Sequence, residues 1–128
     1  MATARDVIEH AFRKARVFAS GETPPAQDAT DALTILNDMM HAFDVQGIEY
    51  AHATLALADT VNLPDSLIGP VKSMLAVRLC GEFETTPTDE LRIEAASGRQ
   101  AIGAYYLDNQ PARVDGGLLN MPSQRRYW

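Results

Sequence analysis

Apolar positions recur at helical spacing in four stretches of the chain, and one of them has no clean polar face. In LIGPVKSMLAVRLCGEF, Leu67 to Phe83, the residues Leu67, Val71, Met74 and Leu75 fill one side of a helix. Val77, Leu79, Cys80 and Phe83 fill most of the rest. A helix apolar nearly all round needs neighbours on several sides, each large buried side chain contributing roughly 1.5–3 kcal/mol. The other periodic stretches are therefore expected to pack around it.

The first helix is expected from Ala4 to about Phe18, with Thr3 as N-cap and Asp6 three residues on. Val7, Ile8, Ala11, Phe12 and Ala15 form its apolar stripe. Arg13, Lys14 and Arg16 cluster late in it, where cations complement the helix dipole. Thr23-Pro24-Pro25 interrupts the chain and opens a second helix with Ala29, Ala32, Leu33, Leu36, Met39 or Met40, and Phe43 on one face. Asp28, Asp31, Asn37, Asp38 and His41 lie largely opposite, and Gly47 provides the stop.

Between Ile48 and Leu63 the period changes. Thr54 to Leu57 and Thr60 to Leu63 alternate, with Ala58-Asp59 between them, and predict two short extended segments in a hairpin-like arrangement. Asp65 or Ser66 is the expected cap of the central helix, with Pro70 in or near its first turn. Thr86, Pro87, Asp89 and Glu90 then mark the start of a fourth helix reaching about Tyr105. Its filling is small: Ala95, Ala96, Ser97, Gly98, Ala101, Gly103 and Ala104. Such residues predict close approach to the central helix or to another copy of the chain.

After Asp108 the period disappears. PARVDGGLLNMPSQRRYW has two prolines and a Gly-Gly pair, yet it holds Leu118, Leu119, Met121, Tyr127 and Trp128 beside Arg125 and Arg126. Aromatic and arginine anchors are typical of binding hot spots, so this segment is expected either to dock on a partner or to fold back onto its own body. The pattern thus predicts a mainly α protein, a four-helix bundle with a short β-hairpin-like excursion between helices 2 and 3 and an extended C-terminal tail. Residues 1–108 form the helical domain and 109–128 the tail.

Charge sharpens that division. The net charge is −6, but residues 1–110 hold 8 basic and 16 acidic side chains, a balance of −8. Residues 111–128 hold Arg113, Arg125 and Arg126 against Asp115, a balance of +2. An acidic body repels phosphate and argues against nucleic-acid binding by neutralisation. The apolar runs are too short to span a bilayer, and the first ten residues lack the apolar core of a secretory signal. The single Cys80 excludes an intramolecular disulfide.

Catalytic chemistry has no constellation here. Asp38 and His41 share a helix face but Asp44 is rotated away, and His10 and His52 have no ligand pattern around them. A solvated polar face accounts for these residues. Cys80 sits in an apolar run and reads as a core residue. No enzyme activity, metal or cofactor is expected. Arg78 interrupts the central helix with Glu82 four residues on, so the two are expected either to pair or to reach a carboxylate in a neighbouring subunit. Leu75, Leu79 and Phe83 are the accompanying core or subunit-packing positions.

Three segments carry a family resemblance: LNDMMHAFDVQGI from Leu36 to Ile48, Leu75-Ala76-Val77-Arg78-Leu79 followed by an acidic-aromatic loop and an Ala-rich helix, and the extended tail. In this order they resemble the head-to-tail adaptor proteins of tailed bacteriophages and gene transfer agents, the family that includes the podophage packaged-DNA stabilisation protein. The resemblance implies a structural virion protein of the neck, assembled in the host cytoplasm as a homo-oligomeric ring of twelve copies beneath the portal. The tail would dock on the portal protein, through Leu118, Leu119, Met121, Arg125, Arg126, Tyr127 and Trp128. The ring's lower face would receive the next neck or tail component, of stopper or nozzle type, and DNA would pass without specific binding. This chain's tail is shorter than that of the podophage member. The competing expectation is a soluble helical interaction module, such as a small regulator of the host cell.

Overall fold

The computed structural model describes residues 2–18, 22–48, 50 and 52–108 of the chain, Leu107 and Asp108 by their backbone alone. Four helices account for most of it: α1 (Ala4–Lys14), α2 (Ala26–Val45), α3 (Asp65–Glu82) and α4 (Asp89–Asp108). The mainly helical, four-helix expectation is what forms. Helix α3 is the centre, touching α1, α2 and α4, whereas α4 makes its extensive contact with α3 alone. Leu67, Ile68, Val71, Leu75, Ala76, Leu79 and Cys80 of α3 are all buried, as an all-round apolar helix requires.

Around α3, the core takes Val7, Ile8, Ala11 and Phe12 from α1 and Leu36, Met39, Met40 and Phe43 from α2. Leu91 and Ile102 supply the contribution of α4. Phe83 is half-buried and meets Phe12 edge-on, with ring centroids 5.2 Å apart. Phe18 also meets Phe12 edge-on, at 5.1 Å.

The N-terminus of α1 forms the capping box that Thr3 and Asp6 announce: Asp6 N donates to Thr3 Oγ1 at 3.2 Å and Thr3 N to Asp6 Oδ2 at 3.1 Å. The remaining first-turn donors find the chain between α2 and α3. Ala4 N donates to Asp59 O and Arg5 N to Leu57 O, at 2.9 and 3.0 Å. This corrects the hairpin expectation. No strand occurs among the described residues. The 54–57 and 60–63 segments turn at Ala56–Asp59, but Thr60 bridges to Thr3 rather than to its own neighbour. The exposed amides of a helix start are stronger competitors for those carbonyls than a short second strand would be.

Other boundaries move for local reasons. Helix α1 ends at Lys14 rather than near Phe18, because Arg16 adopts a left-handed φ of 63°. Val17 N then donates to Phe12 O and Arg16 N to Arg13 O, closing a Schellman motif. Gly47, with φ of 85°, ends α2 in the same way, through Ile48 N to Phe43 O. Helix α3 ends similarly at Glu84, φ 59°, with Thr85 N on Cys80 O. At its start neither Asp65 nor Ser66 caps; Pro64 occupies the N-cap position and its carbonyl accepts from Leu67 N. Pro70 therefore lies in the second turn of α3. Thr88, not Thr86, supplies the cap of α4: its Oγ1 accepts from Leu91 N at 3.1 Å.

Candidate interaction surface

Helix α4 buries a narrow stripe consisting of Leu91, Gly98 and Ile102, with Ala95 half-buried between them. That seam suits packing on one partner helix. Its outer side carries Ala96, Ser97, Ala101 and Ala104 where a solvated helix would carry charges, together with Ile93 at 66% exposure and Tyr105 at 40%. Singly exposed apolar residues are ordinary, but Ile93 and Ala101 border an open cleft of about 450 Å³ between α3 and α4. Gly69, Pro70 and Ser73 form its α3 side, and Ile93, Gly98 and Ala101 its α4 side.

Gly98 lets α4 close onto Pro70 within this cleft. At its rim, Lys14 Nζ lies 3.2 Å from Glu94 Oε2, which also accepts from Ser73 Oγ at 3.1 Å. These bonds from Lys14 and Ser73, together with the lysine charge, hold the Glu94 carboxyl below the ordinary carboxylate value. The bond orients three helices at one edge of the cleft. Its exposure makes it a weak contributor to stability.

The basic residues of α1 do not act as one cluster. Lys14 is engaged with Glu94, and Arg16 occupies the left-handed position after the helix. Arg13 and Lys72 approach His10, where burial first and then these two charges lower the imidazole pKa.

Arg78 and Glu82 are both exposed and form no ion pair with each other, which corrects the pairing expectation. They line a smaller cleft of about 320 Å³ with Ile35, Asp38 and Gly81. Leu75 and Leu79 are fully buried, and neither reaches a surface. The tail residues Leu118, Leu119, Met121, Arg125, Arg126, Tyr127 and Trp128 lie outside the described residues.

Asn37 is the position that periodicity misassigns. It was expected on the polar side of α2, yet it is buried and grips the backbone of the following segment. Its Oδ1 accepts from Leu55 N at 2.9 Å and its Nδ2 donates to Leu55 O at 3.1 Å. The same Oδ1 receives His52 Nε2 at 2.9 Å, and the His52 ring meets His41 edge-on with centroids 4.6 Å apart. Nothing in the spacing of α2 marks Asn37, because its partner is a backbone eighteen residues away in sequence.

Among the described residues no group of three or more His, Cys, Asp or Glu side chains could hold a metal ion. Cys80 is buried, with Sγ 3.8 Å from Ala15 O. No helix among those residues is long and apolar enough to cross a membrane. In comparison with known proteins, no family matches the chain and no curated protein aligns with it.

Proposed function

We propose that this chain is a head-to-tail adaptor, a structural protein that forms a ring beneath a viral portal and links the filled capsid to the tail. The observation that carries this reading is the uncovered side of α4, where Ile93 and Ala101 remain accessible beside the cleft. A second copy of the chain is the partner that covers this face. A ring repeats one heterologous contact, so each copy presents its α4 side to the next.

Sequence supplies the specific part of the assignment: the Leu36–Ile48 and Leu75–Leu79 segments, their order, and a tail of opposite charge to the body. The acidic body lines a passage that repels DNA phosphates, so the genome slides without adhering. The tail is the anchor. Leu118, Leu119, Met121, Tyr127 and Trp128 insert between portal subunits while Arg125 and Arg126 pair with portal carboxylates. Truncation after Gly117 tests the anchor: binding to portal rings is lost while helical content is retained. Unchanged affinity for portal would show that the tail is not the docking element.

A further inference from the structure

We propose that Asn37 and His52 form a pH-sensitive latch that holds segment 52–57 against α2, and that a proton on His52 opens it. The geometry fixes the protonation state. Asn37 holds both the N–H and the C=O of Leu55, so its amide cannot be turned over without losing two bonds. Its Oδ1 only accepts, and therefore His52 Nε2 carries the hydrogen of the bond between them.

The neutral ring then keeps its lone pair on Nδ1, which is buried and has no hydrogen-bond partner. A second proton would create a desolvated cationic N–H there with no acceptor. His41 from α2 stands edge-on to the ring, and its Nε2 meets Thr54 Oγ1 at 3.2 Å. Tyr50 packs on His52 at 5.7 Å, and Tyr106 of α4 packs on Tyr50 at 5.6 Å. None of these three supplies a carboxylate. Burial and then the His41 charge accordingly lower the His52 pKa.

The sign follows. The closed latch favours neutral His52, while the open segment binds a proton at the ordinary histidine value of about 6.5. The latch is thus fully held above that pH and weakens as pH falls below it. The other attachment of the segment is independent of His52, since Arg5 N and Ala4 N bond to the backbone oxygens of Leu57 and Asp59. Opening is therefore local. It detaches Leu55 from α2 and disturbs the packing of His52 on Tyr50, which in turn meets Tyr106 of α4.

Amide hydrogen exchange on the full chain, corrected for the intrinsic pH dependence of exchange, tests this without any partner. Protection of the Leu55 amide should fall several-fold between about pH 6.5 and 5.5, up to the roughly tenfold limit for one proton. The Arg5 and Leu75 amides should hold theirs. In His52→Gln, which can donate to Asn37 but cannot charge, the fall should vanish. His41→Gln, a milder change that retains a partner for Thr54, should shrink the fall by removing the neighbouring positive charge. Unchanged Leu55 protection, a loss in step with Leu75, or a fall that persists in His52→Gln would each overturn the latch. Portal binding plays no part in the experiment, so its outcome is separate from that of the adaptor assignment.

Discussion

Gly98 lies so close to Pro70 that a β-carbon on the glycine would stand 2.9 Å from the Pro70 Cβ and 3.0 Å from its Cα. The contact sets how near α4 comes to α3, and the obstructing atoms belong to a rigid ring and backbone. Gly98→Ala should therefore lower stability by about 1–3 kcal/mol through overpacking. Gly103, in the same helix, has no atom within 4 Å of its would-be β-carbon. Gly103→Ala should raise stability by about 0.5–1 kcal/mol. Urea unfolding of the two variants checks the opposite signs.

Arg16 and Glu84 hold left-handed conformations at helix ends where glycine is the usual occupant. An L side chain pays about 1–2 kcal/mol there, partly offset in glycine by its greater freedom when unfolded. Arg16→Gly and Glu84→Gly should each raise the urea midpoint, by about 0.5–1 kcal/mol of stability. A lower midpoint in both would contradict the Schellman geometry.

Asp6 ties its pKa to the α1 cap. The Thr3 backbone N–H first, and its hydroxyl second, lower the Asp6 carboxyl from 3.8. A depressed folded value means that the contribution is complete above the unfolded pKa and is lost as pH falls through the folded one. Asp6→Asn should make stability fall less steeply with acidification below about pH 4. An unchanged slope in unfolding measured across that range would show that the box does not couple to folding.

Ile93 is exposed in the monomer, and its replacement by lysine removes no core contact. Ile93→Lys should shift monomer stability by less than about 0.5 kcal/mol. On portal rings, the same variant should fail to complete a ring, because a charge would enter the contact between copies. Unfolding and negative-stain microscopy read the two effects separately.

The sequence carries those features whose causes are local. The Thr3–Asp6 box, the Gly47 stop and the apolar circumference of α3 all depend on residues within a few positions of each other. The end of α1 is hidden because arginine has no preference for the left-handed region, and the backbone bonds and Phe12–Phe18 packing that accompany it are not visible in the spacing. The excursion after α2 misled for a different reason. Its alternation is real, but the carbonyls of Leu57 and Asp59 serve the start of α1, a pairing set by tertiary approach. For the same reason Asn37 looked solvated. The small residues of α4 signal close packing, and Gly98 on Pro70 supplies it.

Electron microscopy of the protein mixed with candidate portal rings tests the adaptor assignment most directly. The expected result is added density as a closed ring beneath the portal, with one copy for each portal subunit. Binding at a low fixed stoichiometry without ring closure, or no added density, would contradict it and favour a helical module with a single partner.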